Sequence, residues 1–328
     1  MWAQPSPSTR MPARGLQEDP ALFVLSNPGS GALDAHATQE LLANLFRDAG
    51  RAVEFVPVES PEALELASDR AGARAAKVGA VLVAVGGDGT INTVAGAALR
   101  HGCPLGVIPQ GTFNFFARGH DIPQDAQAAA RALLAAHPQP VQVGRLNDQL
   151  FLVNASVGLY PQLLQDREAF KEQWGRRRWV AMLSALVTLF EWRRQLALEI
   201  ELEGERVGVR TPTLFVGNNR LQLERIGIPE PVAGQVGEGR LAAVMVRPVG
   251  TLAMLALALR GALGLLGEAG QVRSFAFRSI TVRPWSVRRI KVATDGEVRW
   301  MAAPLRFAVS PEPLLLMMAP PQDRDALE

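Results

Sequence analysis

The chain has 328 residues, of which 48% are hydrophobic, and a formal net charge of +2. This length suffices for two domains or one large one, and so small a net charge gives no argument for a nucleic-acid partner. The single cysteine, Cys103, excludes an internal disulfide framework and any cysteine-based zinc site, which is typical of a reducing compartment.

The first 140 residues divide into a leader and an α/β pattern. Residues 1–20 are rich in proline, serine and arginine and lack the apolar stretch of a signal peptide, so a disordered leader is expected. Over residues 21–140, short apolar runs such as "LFVLS" and "AVLVAV" alternate with helical stretches. Continuous apolar strands separated by helices predict a nucleotide-binding α/β domain with a parallel sheet covered on both faces.

The pattern changes after residue 141. Strand candidates such as "LALEIELEG" and "RRIKVATDG", joined by turn residues, predict an antiparallel β-sandwich domain over residues 141–310. Two apolar helices are predicted near 176–195 and 251–266. In residues 311–328, "PLLLMMAP" is predicted to be a strand that returns to the first domain, followed by a tail. No apolar run is long enough to span a bilayer, which predicts a cytoplasmic protein with at most peripheral membrane contact.

Three loops at the ends of predicted strands share one composition: "SNPGSG" (26–31), "GGDGT" (86–90) and "PQGTFN" (109–114). Glycine lets backbone N–H groups approach a ligand closely, and such groups at the start of a helix favour an anion. The carboxyl ends of neighbouring parallel strands lie on one edge of a sheet, so the three loops together predict a phosphate site. The chain lacks the P-loop and the dinucleotide G-x-G-x-x-G patterns.

Asp88 is the one carboxylate within the middle loop. Beside a bound phosphate it needs a divalent cation or a proton-handling role, both of which belong to phosphoryl transfer. The residues alone leave an equal alternative, in which Asp88 caps the helix that follows it.

The motif "GGDGT", with "NPGSG" upstream and "PQGTFNFFAR" and "TDGEVRW" downstream, resembles the diacylglycerol-kinase catalytic domain of lipid kinases. The resemblance extends over about residues 21–320. It implies a phosphate-binding α/β domain, a β-sandwich lipid domain and an ATP site in the cleft between them. It also implies ATP- and Mg²⁺-dependent phosphorylation of a lipid hydroxyl at the membrane surface. Diacylglycerol is the first substrate expected, and sphingoid bases or other hydroxyl lipids are the alternatives.

The resemblance implies site residues in each loop. The nucleotide-binding residues would be Asn27, Pro28, Gly29, Ser30, Gly31, Gly86, Gly87, Asp88, Gly89, Thr90, Ile91, Asn92 and Thr112. In the late "DGE", Glu297 would be the proton acceptor, and Asp295 and Asp88 would be catalytic carboxylates that face the metal. From the residues alone, Asp295–Gly296 is a hairpin signal, and only the resemblance favours catalysis there.

Two positions depart from the family pattern. Phe115 stands where many members have an aspartate, which keeps open a non-catalytic nucleotide- or lipid-binding protein. Glu238 stands in the place of the aspartate of a metal loop, so Glu238 and Asp88 are the predicted metal residues.

Basic clusters mark two further stretches, "GRRRWV" and "RPWSVRRIK". Either could meet an anionic surface or form a solvated face. In the predicted helix near 176–194, arginines at both ends and Trp179 and Trp192 around an apolar centre suit an interfacial helix, or a helix packed across the sandwich. The sequence does not indicate an oligomeric state.

Overall fold

The computed structural model describes residues 19–27, 32–158, 195–250 and 264–320, together with residues 253, 256–257 and 259–260. The loop residues Pro28, Gly29, Ser30 and Gly31 lie outside these ranges. The predicted helix near 176–195 and most of the one near 251–266 also lie outside them.

The first domain alternates strands with helices. Its elements are β1 (Leu22–Ser26), α1 (Ala32–Asp48), β2 (Val53–Phe55), α2 (Leu64–Val78, after a 3-10 turn at Pro61–Ala63), β3 (Val81–Gly86), α3 (Asp88–His101), β4 (Leu105–Pro109), α4 (Phe115–Gly119), α5 (Ala126–Leu134) and β5 (His137–Val141).

These strands form a six-stranded sheet in the order β2-β1-β3-β4-β18-β5, in which β18 (Leu314–Met318) is the last strand of the chain. Strands β1 to β4 are parallel, and β18 runs parallel to β4 and antiparallel to β5. The central strands β3 and β4 are buried throughout, because one hydrophobic cluster covers each face of the sheet. Strands buried on both faces account for the continuous apolar runs of the sequence.

The rest of the chain is mostly strand. Its elements are β6 (Gly144–Leu146), β7 (Gln149–Phe151), β8 (Asn154–Gly158), β9 (Leu196–Leu202), β10 (Glu205–Thr211), β11 (Thr213–Gly217), α6 (Arg220–Arg225), α7 (Glu230–Ala233), β12 (Leu241–Val246), a 3-10 turn (Leu266–Glu268), β13 (Val272–Phe277), β14 (Ser279–Pro284), β15 (Arg289–Thr294), β16 (Glu297–Ala302) and β17 (Leu305–Val309).

Two six-stranded antiparallel sheets result, in the orders β10-β9-β14-β17-β6-β7 and β13-β12-β11-β8-β15-β16. Alternate residues of both sheets share one apolar core, with Val157, Leu198, Val282 and Phe307 among its buried members. The short helices α6 and α7 contribute to a separate cluster with β12. An α/β domain with a mostly parallel sheet and a C-terminal pair of antiparallel sheets confirms the predicted fold class. In the part of the chain described, no helix has the length and apolar character needed to cross a membrane.

Candidate active site

The start of α3 is the centre of the candidate site. The helix begins at Asp88, directly after β3, with Gly87 as an extended N-cap and without a side chain that caps it. A helix N-terminus carries backbone N–H groups without an intrahelical partner and a partial positive charge, so it favours an anion. Gly89 is exposed, and a Cβ built on it would have no atom within 4 Å. The first turn of α3 is therefore open for a phosphate to approach its backbone.

The loop after β4 lies directly against this turn. The N–H of Gln110 donates to the carbonyl of Gly86 at 2.8 Å. A Cβ built on Gly111 would lie 2.7 Å from the Cα of Gly87 and 2.6 Å from Oδ1 of Asn114, so only glycine allows this approach. Asn114 holds the loop closed, because its Oδ1 accepts from the Gly111 N–H at 2.9 Å. Two of the three predicted glycine loops are thus in contact, and exposed Thr112 lies in the second of them.

Two predicted nucleotide-binding residues lie beneath the turn. Ile91 is fully buried in the domain core, and its N–H donates to the carbonyl of Gly87 within the helix. Thr90 is also buried, and a Cβ on Gly86 would lie 2.7 Å from its hydroxyl oxygen. The side chains of both residues therefore support the turn from the core side.

Asp88 starts α3 but caps a different helix. Its Oδ1 accepts from the N–H of Phe116 at 3.4 Å, at the beginning of α4. The alternative that Asp88 caps the helix following it is wrong, because the N-cap of α3 is Gly87 and the side-chain hydrogen bond of Asp88 goes to Phe116. Burial raises the pKa of the Asp88 carboxyl above its ordinary value, although hydrogen bonds from the N–H groups of residues 114–116 oppose that shift. Asp88 is therefore a half-buried carboxyl whose ionised form would gain from a nearby cation.

Asp295 lies in the two-residue turn between β15 and β16, where Asp295 and Gly296 have φ of 47° and 93°. Its Oδ1 accepts from the N–H groups of Val153 (2.9 Å) and Asn154 (2.8 Å). Its Oδ2 accepts from the N–H of Leu152 at 2.6 Å and from Nδ2 of Asn92, on α3, at 2.5 Å. Both oxygens are thus engaged, and the carboxylate ties the sandwich to α3.

Burial raises the pKa of the Asp295 carboxyl to about 6, while its four donors act in the opposite direction. The predicted nucleotide residue Asn92 is one of these donors. In this structure the two side chains therefore hold the hairpin against the start of α3.

Glu297 follows this turn and begins β16, on the hairpin that Asp295 fixes. It is exposed, and its Oε2 lies 2.8 Å from Nη2 of Arg299, which also donates to the side chain of Gln149. An accessible carboxylate on a firmly held hairpin suits a proton acceptor, provided that an acceptor hydroxyl reaches it.

Sequence reasoning missed two polar residues in β8, Asn154 and Ser156. Both are buried, and Oδ1 of Asn154 and Oγ of Ser156 have no hydrogen-bond partner in the described part of the chain. Nδ2 of Asn154 donates to Oε1 of Gln222 at 3.1 Å. The sequence signal was the pair of polar residues at alternate positions of "NASVG", which places both side chains on one face of the strand. A buried polar group without a hydrogen-bond partner is costly, so such a pair calls for an explanation.

Phe115, the residue in place of a family aspartate, joins the two domains. Its carbonyl accepts from Nδ2 of Asn219 at 2.9 Å, and the guanidinium of Arg225 lies 5.7 Å from its ring centroid. On the other side its ring stacks on Phe113 at 5.8 Å. The position supplies a backbone hydrogen bond and a cation–π contact between α4 and α6, where an aspartate side chain would supply a charge.

The described residues fit a magnesium ion only if phosphates and water supply most of its ligands. Among the residues described, no three His, Cys, Asp or Glu side chains form a cluster. Glu238 is exposed in the turn before β12, where the N–H of Gly239 donates to Oε1 of Gln142 at 2.7 Å. Magnesium is commonly held by one or two carboxylates together with substrate phosphates and water. Asp88 beside the open helix terminus fits that mode, whereas a site made of protein ligands alone does not fit.

Comparison with known proteins matches part of the chain to a family model. Residues 21–146 match the diacylglycerol kinase catalytic domain. The resemblance that the glycine loops predicted is therefore confirmed over this segment, which contains both touching glycine loops.

Two relatives and two solved structures extend the comparison. The chain is 32% identical over 142 residues to the "Probable lipid kinase YegS-like" of Klebsiella pneumoniae (strain 342). The matched segment covers 42% of this chain and 46% of that protein. It is 41% identical over 85 residues to a diacylglycerol kinase of Staphylococcus aureus (strain JH9), covering 25% of this chain and 27% of that protein. The matched part thus spans less than half the length of either relative.

The solved structures come from Bacillus anthracis strain Sterne. One superposes with a TM-score of 0.70 at 19% identity and covers 94% of this chain and 98% of its own. A second, the crystal structure of a diacylglycerol kinase, gives a TM-score of 0.63 at 18% identity and covers 93% and 98%. At these identities the comparison shows a shared fold over nearly the whole chain.

Proposed function

We propose that this chain is a lipid kinase that uses ATP and Mg²⁺ to phosphorylate a lipid hydroxyl, with diacylglycerol as the first substrate. The observation that carries the proposal is the uncapped start of α3, which lies in one of two touching glycine loops and is tied through Asn92 to the Asp295–Glu297 hairpin. One place on the molecule thereby combines an anion site with an exposed carboxylate on a fixed hairpin. The match of residues 21–146 to the diacylglycerol kinase catalytic domain supports the same reaction class.

Each group has a distinct part in the proposed reaction. The backbone N–H groups at residues 87–90 bind and orient the phosphates of ATP. A magnesium ion beside Asp88 would neutralise phosphate charge when bound. Glu297 accepts the proton of the lipid hydroxyl, and Asp295 keeps Glu297 in position through its four hydrogen bonds.

The decisive test is phosphorylation of lipid by the purified chain. The protein is incubated with labelled ATP, Mg²⁺ and a panel of hydroxyl lipids in mixed micelles, and an Asp88→Ala variant is assayed in parallel. The expected result is a labelled lipid made by the parent protein and a loss of at least about 100-fold in Asp88→Ala, typical of removing a group that stabilises charge in the transition state. Labelled lipid at the parent rate from Asp88→Ala would contradict the role of Asp88.

Glu297 has an unusually close matched control in the same fold. The hairpin β9–β10 has the two-residue turn Glu203–Gly204, with φ of 51° and 87°, and exposed Glu205 follows it. We expect Glu297→Gln to lower kcat at least about 100-fold with unchanged nucleotide affinity, since a positioned general base contributes about 10²–10⁴-fold. Glu205→Gln should leave kcat unchanged. Equal activity of the two variants would exclude Glu297 as the proton acceptor.

A second candidate function rests on the aspartates. Asp88 accepts from the start of α4, Asp295 is saturated by four donors, and Phe115 adds no charge. These contacts favour a nucleotide-binding protein without phosphotransfer. That function predicts measurable ATP affinity and no labelled product from any lipid, and a Phe115→Asp variant would then be the first one to assay for recovered turnover.

A further inference from the structure

A cavity at the open edge of the sandwich lies apart from the glycine loops and their helix. It encloses about 240 Å³ between β10 and the pair β12–β13. We call it the arginine trough, and its lining includes Val209, Arg210, Thr211, Met245, Arg247 and Arg273. It lies at one edge of each sheet, since β10 and β13 are both edge strands.

The fold holds the trough open at a fixed width. Oγ1 of Thr211 donates to the carbonyl of Val246 at 2.8 Å, which joins the end of β10 to the end of β12. Met245 pairs with Arg273 across β12 and β13, and the N–H of Arg247 donates to the carbonyl of Gln271. Its three arginines therefore come from three separate stretches of chain that are fixed by backbone pairing.

The charges of the trough are unbalanced. Within the described ranges, none of the guanidinium groups of Arg210, Arg247 and Arg273 has an acidic or hydrogen-bond partner. Glu199 of β9, which pairs with Gly208 of β10, is already engaged, because its Oε1 lies 3.5 Å from Nη1 of Arg283. Three cations around one cavity, without a partner among the residues described, are complementary to a phosphate-bearing group.

Apolar groups adjoin the cations. Val209 and Met245 contribute apolar surface inside the trough, and edge residue Val207 is 54% exposed. The indole of Trp285, which is 65% exposed, lies beside β10: a Cβ on Gly208 would be 3.2 Å from its Cζ2. Trp285 belongs to "RPWSVRRIK", one of the basic clusters of the sequence. Arginine beside exposed tryptophan and aliphatic side chains suits a membrane interface better than a soluble anion.

We propose that the arginine trough, together with the neighbouring Trp285, docks this protein on an anionic phospholipid bilayer and holds one phosphate-bearing head group. The inference rests on the lipid acceptor proposed above and names the surface that meets the membrane. Docking itself needs neither ATP nor turnover, so it is measured separately from catalysis.

The test is binding of the full chain to vesicles in the absence of ATP. Vesicles of phosphatidylcholine alone are compared with vesicles that also contain phosphatidylglycerol, at about 0.1 M salt, and the bound fraction is measured by sedimentation. A variant with Arg210→Gln, Arg247→Gln and Arg273→Gln is compared with Arg47→Gln, Arg70→Gln and Arg131→Gln. The control removes three exposed arginines from helices of the first domain and so the same net charge.

We expect tight binding only to the anionic vesicles and a loss of about fivefold for each trough arginine removed, on the order of 100-fold for all three. Trp285→Ala should weaken binding to the same vesicles, and the control variant should bind like the parent. All variants should keep the parent turnover on diacylglycerol in neutral micelles, so absent turnover in the parent would count against the kinase and not against docking.

Four results would overturn the proposal. They are parent binding that is equal for neutral and anionic vesicles, equal losses in the trough and control variants, full displacement of the parent by millimolar inorganic phosphate, and trough-dependent binding of an RNA oligonucleotide without vesicle binding. Should the triple variant unfold, Arg273→Gln alone decides, because a single exposed replacement must still weaken anionic-vesicle binding about fivefold.

Discussion

Asp295 is a single carboxylate at which two domains meet. Three consecutive backbone N–H groups of the sandwich and the amide of Asn92 all donate to it. Such a set of donors turned toward one point would be left unsatisfied if the acceptor were removed. The residue therefore contributes to stability independently of any catalytic part.

We expect Asp295→Ala to lower the free energy of unfolding by at least about 3 kcal/mol, since each buried N–H left without a partner costs about 1–3 kcal/mol. Asn92→Ala should cost less, because it removes only one of the four donors. Urea unfolding at pH 8 measures both. The control is Asp148→Ala, which replaces an exposed aspartate in the nearby turn between β6 and β7. A similar small loss in Asp295→Ala and Asp148→Ala would refute this account.

The environment of Asp88 predicts how the stability of the protein depends on pH. Burial raises the pKa of its carboxyl in the folded protein above the ordinary value of 3.8. The folded state thus binds this proton more readily than the unfolded chain, so the group's contribution to stability is greatest below pH 3.8 and is lost as the pH rises through the raised pKa. A cation beside the ionised carboxylate offsets that loss.

Mg²⁺ with a non-hydrolysable ATP analogue should therefore raise Tm more at pH 8 than at pH 5. Asp88→Asn should reduce this difference, because its side chain does not titrate. Thermal unfolding of both proteins at the two pH values, with and without the ligand, provides the measurement. An identical pH dependence in the parent and Asp88→Asn would show that the cation is not held there.

The contacts of Asp295 and Asp88 were only partly predictable from the sequence. The Asp-Gly pair predicted a hairpin, and the structure has that hairpin. Nothing near Asp295 in the sequence indicates that residues 152–154 supply its donors, because that contact depends on the packing of β8 beside β15. Likewise, Asp88 caps α4 because the loops after β3 and β4 touch, and the spacing of 28 residues between Asp88 and Phe116 carries no helix-capping signal.

Among the elements, the α3 terminus is the one whose role is most directly testable. Gly89 lies in its first turn, and an added Cβ there would meet no protein atom. If phosphate occupies that space, an added methyl group obstructs the ligand and leaves the fold intact. Stability and affinity should then respond in opposite directions to the same change.

We expect Gly89→Ala to keep or slightly raise Tm, since alanine favours a helix by up to about 1 kcal/mol over glycine. Its affinity for ATP should fall at least about tenfold. The matched control is Gly96→Ala in the same helix, where the added Cβ would lie 3.4 Å from Nη1 of Arg100. This variant should bind ATP like the parent. Unchanged affinity in Gly89→Ala would place the phosphates elsewhere.

The positions of some strands were predictable because a local sequence pattern determines them. The strands β1, β3 and β4 are continuous apolar runs that end in glycine loops, so their positions and shared edge were predictable. The division of the later strands between two sheets was not, because strands adjacent in sequence such as β7 and β8 lie in different sheets. Alternation within a strand indicates which face is buried and not which neighbour it pairs with.

On the scale of the whole molecule, the strand β18 couples the two domains. It lies between β4 and β5 in the first sheet, although the whole sandwich separates it from them in the sequence. Leu314 and Leu316 are buried in the first domain's core. The first domain therefore cannot complete its sheet from its own stretch of chain.

We expect a chain that ends at residue 310 to lose the cooperative unfolding transition of the first domain, because β5 would have no partner strand left. A chain that ends at residue 320 keeps β18 and serves as the control. Calorimetry should show a single shared transition for the control and the parent. A folded, nucleotide-binding first domain in the shorter chain would contradict this coupling.

The late position of β18 also has a consequence during synthesis. Ribosomes add about 5–20 residues each second, so roughly 10 to 40 seconds separate the emergence of β5 from that of β18. Throughout that interval the growing first domain exposes the edges of β4 and β5, which are able to pair with other chains. The half of the protein that is made first is thus the half that is finished last, and its sheet is most vulnerable to wrong partners while the sandwich is still being translated.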